Sequence, residues 1–120
     1  METLPMESYE ELIELEEMLE QPFFFRSTKK HLRGYLKFTV RKSVKSVLLQ
    51  IATADVWATF KYHKYCRSGL HTFVELVYIN RLLKCLFVSL HHDSPINIDK
   101  ELKQSVMVFL KENKRSNANH

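Results

Sequence analysis

The chain has 120 residues, 45% of them apolar and 27% charged, with a formal net charge of +4. That is enough for one domain with its own core and no disulfide or metal staple, and it is far from the low-hydrophobicity, high-charge pattern of disorder. With only two glycines and no G-x-S-x-G, Gly-rich phosphate loop or His-Glu-x-x-His, the sequence offers no catalytic motif, and no enzyme activity is expected.

The net charge hides an asymmetry. Residues 1–25 hold eight Glu and no Lys or Arg, whereas residues 26–120 hold 18 basic and six acidic side chains. The acidic N-terminus lacks the apolar core of a signal peptide. Together with just two cysteines, Cys66 and Cys85, this predicts a reducing compartment, cytoplasmic or nuclear, without a structural disulfide.

Ser8 followed by Glu11 reads as a capping box, and Tyr9, Leu12, Ile13, Leu15 and Leu19 recur at helical spacing behind it. A first helix is therefore predicted over Glu7 to Glu20, with Glu10, Glu11, Glu14 and Glu17 on its outer face. That face is either simply solvated, or it shields the basic segment or docks on a positive partner. Gln21-Pro22 should end the helix. The following Phe23, Phe24 and Phe25 cannot all point one way, so they form a hydrophobic hinge or, in part, an exposed docking anchor.

From Gln21 to Ala54 there is no acid, while Arg26, Lys29, Lys30, Arg33, Lys37, Arg41, Lys42 and Lys45 all fall there. On a single helix begun at Ser27 or Thr28, Lys30, Arg33, Lys37, Arg41 and Lys45 share one face, and Leu32, Tyr35, Leu36 and Val40 share another. No Gly, Pro, Asn or Asp interrupts Tyr35 to Ala54, which favours this basic amphipathic helix. The competing reading is a strand, because Leu36, Phe38 and Val40 alternate with Lys37, Thr39 and Arg41, and residues 35–64 would then form a small antiparallel sheet.

Thr53 is a candidate cap for a third helix ending near Arg67, carrying Trp57, Phe60, Tyr62 and Tyr65 with Lys61, His63, Lys64 and Arg67. Leu70 to Leu90 is apolar on every side of a helical wheel, the pattern of a core helix wrapped by neighbours. Glu75, Arg81 and Lys84 within it argue against membrane insertion. Glu75 should be largely buried, which calls for a basic partner or a raised pKa. Should the neighbours leave an apolar side of this helix bare, that side would be a homodimer interface. After His91-His92-Asp93-Ser94-Pro95, Asp99 should cap a last helix to Asn113, with Leu102, Val106, Phe109 and Leu110 facing inward and Lys100, Lys103 and Lys111 outward. Residues 114–120 read as a frayed tail.

The expected fold is thus all-α, one domain over residues 1–120, with about five helices around the 70–90 helix. No cofactor is implied. A zinc site would need His63 and Cys66 combined with Cys85 and His91 or His92, an unfamiliar spacing, and packed free cysteines explain the same residues.

The most direct functional expectation is a small non-enzymatic binding protein, of a regulatory or virus-type accessory kind, whose basic residues contact RNA or DNA phosphates. These residues are Arg26, Lys29, Lys30, Arg33, Lys37, Arg41, Lys42 and Lys45, joined by Lys61, Lys64 and Arg67. The alternative is a protein adaptor that engages its partner through Phe23, Phe24, Phe25, Tyr62 and Tyr65. A basic amphipathic helix also suits a calmodulin target, an anionic membrane surface or a nuclear import signal, and a merely solvated face needs no partner at all.

Overall fold

A computed structural model describes residues 4–63, 69–88 and 95–118, with side chains placed outside 95–97 and 116–118. Among the described residues the chain is mostly helical, with six α-helices and one pair of two-residue strands. The first helix, α1 (Tyr9–Met18), starts where the capping box predicts. The Ser8 hydroxyl accepts the backbone N–H of Glu11 at 3.2 Å, and the Glu11 carboxylate accepts the N–H of Glu7 at 3.5 Å. Leu12 and Leu15 of α1 are buried, as is Leu19 just beyond it.

Pro22 opens the next element, α2 (Pro22–Leu32), where its missing N–H costs nothing in the first turn. The single basic helix predicted across residues 27–45 does not form. α2 stops at Leu32, a 3-10 turn covers Arg33–Tyr35, and α3 (Val40–Ile51) begins afresh, with the Thr39 hydroxyl accepting the N–H of Lys42 at 3.2 Å. Lys30, Arg33, Lys37, Arg41 and Lys45 therefore occupy two helices and the turn between them. The alternative sheet over residues 35–64 is absent as well, among the described residues.

Beyond Thr53 the predicted long helix reduces to one turn, α4 (Ala54–Trp57), followed by β1 (Phe60–Lys61). β1 pairs in parallel with β2 (His71–Thr72), Phe60 opposite His71 and Lys61 opposite Thr72. The aromatics collected here close the core. Trp57, Phe60 and Phe73 are fully buried, with Trp57 ring-to-ring at 5.2 Å from Phe60 and 5.6 Å from Phe73. The Trp57 indole N–H, costly to bury unpaired, donates to the Leu48 carbonyl near the end of α3 at 2.6 Å. Residues 4–7 run alongside this joint. Met6 donates to the Ile51 carbonyl at 2.9 Å and accepts from the N–H of Thr53 at 3.0 Å.

The stretch predicted as one central helix divides into β2, a 3-10 turn over Phe73–Glu75 and α5 (Val77–Val88); Ser89 and Leu90 lie outside the described residues. α5 is not wrapped all round. Ile79, Leu82, Leu83, Leu86 and Phe87 are buried, while Val77, Arg81, Lys84 and Val88, spaced along one side, face water. The bare side is a mixed stripe with two cations, unlike the apolar face that would call for a dimer. Glu75 is exposed, because the 3-10 turn ahead of α5 carries it outward.

The last helix, α6 (Pro95–Ala118), starts before and ends after the predicted 99–113. Asp99 lies inside it and pairs with Lys84 of α5 at 3.6 Å, so it is not a cap, and residues 114–118 are helical. Leu102, Val106, Phe109 and Leu110 are buried as predicted, and Lys100, Lys103 and Lys111 are exposed. α6 packs chiefly on α3, whose Val44, Val47, Leu48 and Ile51 are fully buried. The α3–α6 pair, more than α5 alone, is the frame on which the other elements rest. Among the described residues no helix is long and apolar enough to cross a membrane.

Candidate nucleic-acid interface

The basic surface follows from the way the chain turns between α2 and α3. On α2, Arg26 and Lys30 stand four residues apart on one exposed side, and Arg33 continues that side into the 3-10 turn. Lys29 is half-buried. On α3, Arg41, Lys42 and Lys45 are exposed. Between the two groups Lys37 is held by a double hydrogen bond. Its N–H donates to the hydroxyl oxygen of Ser43 at 2.7 Å, and the same hydroxyl donates to its carbonyl at 3.0 Å. Ser43 is fully buried, so this clamp fixes the turn to the protein core.

The clamp and the Thr39 cap flank Phe38 on either side, and they hold it out into solvent. Phe38 is completely exposed, at 106% of its reference area. A phenylalanine that buries nothing forgoes about 2 kcal/mol of apolar transfer free energy, so the core gains nothing from it. Lys37 precedes it directly, and Arg41 and Lys42 follow three and four positions later. Among the described residues, none of Arg26, Lys30, Arg33, Lys37, Arg41, Lys42 and Lys45 makes an ion pair. The acidic face of α1 does not neutralise them. Glu16, which lies off that outer face, is engaged by the backbone of α5.

The placement of Arg41 and Lys42 runs against helix electrostatics. Both lie in the first turn of α3, where the macrodipole is positive and each cation is unfavourable by roughly 0.3–1 kcal/mol. Two exposed cations at a positive dipole end together form a region receptive to anions. Along the seam with α6, Arg41, Lys42 and Lys45 border a shallow groove of about 170 Å³ shared with Phe109 and Glu112.

The other predicted site residues distribute differently. Lys61 is half-buried in β1, while Lys64, Tyr65 and Arg67 lie outside the described residues. Phe23 is 78% exposed, whereas Phe24 and Phe25 are half-buried against the core. Tyr62 stacks on Phe73 with ring centres 5.9 Å apart and lies below the Lys103 ammonium, also at 5.9 Å. Burial raises the Tyr62 phenol above its usual value. No three His, Cys, Asp or Glu side chains converge on a metal position among the described residues, and Cys66, His91 and His92 of the considered zinc set are outside them.

No local sequence signal marks Phe38, Ser43 or Glu16. Phe38 reads as one apolar position of an alternating segment, and Ser43 as an ordinary helical residue. Comparison of the chain with protein-family models, with curated proteins and with solved structures finds no match in any of the three.

Proposed function

We propose that this is a non-catalytic protein that binds single-stranded nucleic acid across the α2–α3 surface. The cations of α2 and α3 take phosphates, and the ring of Phe38 offers a stacking surface for an unpaired base. The reading is carried by one observation, a fully exposed aromatic ring in the connection between α2 and α3, which together with that connection carry seven exposed cations that have no ion-pair partner among the described residues. Aromatic faces with surrounding Lys and Arg are the chemistry that single strands require, because every base has a stackable face and every nucleotide a phosphate. A duplex hides its base faces, so Phe38 adds nothing there.

The test is a salt titration of binding to a labelled oligouridylate and to a DNA duplex of equal length. Four or more phosphates neutralised at about 0.7 each give a log–log slope for the single strand of about −3 or steeper. The single strand is expected to bind more tightly than the duplex. Absence of binding at about 50 mM salt, or an affinity that does not fall by about 200 mM, overturns the proposal.

A further inference from the structure

A second surface lies where the C-terminal end of α1, the first turn of α2 and the first turn of α5 meet. Leu19, Pro22, Phe25 and Tyr78 wall a cavity of about 280 Å³. This falls below the roughly 300–1,000 Å³ of sites that engulf a whole small molecule, and it suits a single bulky side chain. The segments that wall it also carry exposed apolar side chains. Met18, Phe23 and Val77, each one residue from a wall residue, are 44%, 78% and 54% exposed. An apolar-walled cavity on segments that also expose apolar side chains marks a surface for a polypeptide more than for a free anion or a nucleic acid.

The charges at the cavity select the kind of polypeptide. Arg26 and Arg81 border it, and the Arg81 guanidinium lies 5.2 Å from the centre of the Tyr78 ring, which fixes it beside the opening. Glu20 also borders the cavity, yet neither arginine is ion-paired among the described residues. Two planar guanidinium groups with free donors match carboxylates in a bidentate manner. The chain's own acidic helix is a poor occupant for a second copy, because Leu12, Leu15 and Leu19, the apolar side of α1, are already buried in its own core.

We infer that this cavity docks an acidic peptide segment of a partner protein, which inserts one large apolar side chain between Phe25 and Tyr78 and sets flanking carboxylates on Arg26 and Arg81. The site is independent of the nucleic-acid reading, with which it shares only Arg26.

The experiment uses the full chain and two fluorescein-labelled peptides, EDEWLEELD and its counterpart KKKWLKKLK. Saturable binding of the acidic peptide alone is expected, with amide shift changes in the first turns of α2 and α5. Arg81→Glu, at an exposed position, should weaken it by about tenfold or more while leaving oligonucleotide binding unchanged, and Lys45→Glu should do the reverse. No binding of the acidic peptide, equal binding of the lysine peptide, or indifference to Arg81→Glu overturns the inference. A dimer in sedimentation velocity that dissociates on Arg81→Glu also overturns it, since the occupant would then be a second copy.

Discussion

The carboxylate of Glu16, in the last turn of α1, accepts the backbone N–H groups of Tyr78 at 2.7 Å and of Ile79 at 2.9 Å, and so caps α5 from a helix more than 60 positions earlier in the chain. The first N–H groups of a helix have no partner of their own, and a negative charge at that end is favoured by the dipole. This contact ties the acidic helix to the apolar one and holds the two walls of the peptide cavity together. Glu16→Ala is expected to destabilise the fold by about 2 kcal/mol in urea unfolding, and Glu16→Gln, which keeps an acceptor oxygen, by less. A change below about 0.5 kcal/mol for the alanine variant, the range of an ordinary surface substitution, would remove the cap from the account of stability.

The Ser43–Lys37 clamp makes a different prediction, because it stabilises a turn more than the core. Ser43→Ala deletes a donor and an acceptor and leaves the Lys37 backbone to water, at a cost of about 1 kcal/mol. The effect should be local. Hydrogen exchange at the Lys37 amide is expected to accelerate by more than the global stability loss explains, while α6 amides slow or quicken only with global stability. Uniform acceleration across the protein would show that the turn is not an independently held unit.

This turn also explains which parts of the fold are legible in the sequence. α1 is, because its cap and leucine spacing are both within a few residues, and so is the inward side of α6 at Leu102, Val106, Phe109 and Leu110. The break between α2 and α3 is not. It contains no Gly, Pro, Asn or Asp after Gly34, and is built from two hydroxyls, Thr39 as cap and Ser43 as clamp, that read as ordinary helical residues. The 3.6-residue spacing of cations happens to carry across it. The 70–90 stretch misleads for a related reason. Its first residues, His71 to Leu76, are apolar enough to extend the helix pattern, but Phe73 fills the aromatic core from a 3-10 turn, and the Asn80 amide donates to the carbonyls of Phe73 at 2.9 Å and Leu76 at 2.8 Å. Of the candidate sites, the list of cations is legible and their arrangement is not, since the partial burial of Lys29 and the exposure of Phe38 depend on tertiary placement.

Tyr62 yields a prediction in pH. Burial raises its phenol above the usual value near 10, so the folded state holds the proton more tightly than the unfolded chain does. The stability this group contributes is complete below the unfolded value and is lost as pH rises through the higher folded one. In an ultraviolet titration at alkaline pH a late phenol phase should appear above the usual value near 10, and Tyr62→Phe should abolish that late phase. Persistence of the late phase in the variant would assign it to another tyrosine.

Phe38 separates folding from function. Since its side chain buries nothing, Phe38→Ser should leave urea stability within about 0.5 kcal/mol of the parent. If the ring stacks on a base, the same substitution should lose about 1–3 kcal/mol of single-strand binding and almost none of duplex binding. Equal losses for both nucleic acids would make Phe38 a bystander to a purely electrostatic contact.

Lys42 provides the sharpest contrast, because stability and binding should move in opposite directions. It is the third residue of α3 after the Thr39 cap, and Thr39 already accepts its backbone N–H. Lys42→Glu places a carboxylate where it completes a capping box and favours the positive end of the helix, worth about 0.5–1 kcal/mol of added stability. The same change replaces a phosphate-binding cation with an anion that repels phosphate. Oligonucleotide affinity should therefore fall, with the log–log salt slope shallower by about 0.7 for the lost contact. A variant that is more stable and binds as before would show that the first turn of α3 lies off the nucleic-acid path. A variant that is less stable would mean that Lys42 supports the fold through its side chain, contrary to its exposure and its lack of an ion-pair partner among the described residues.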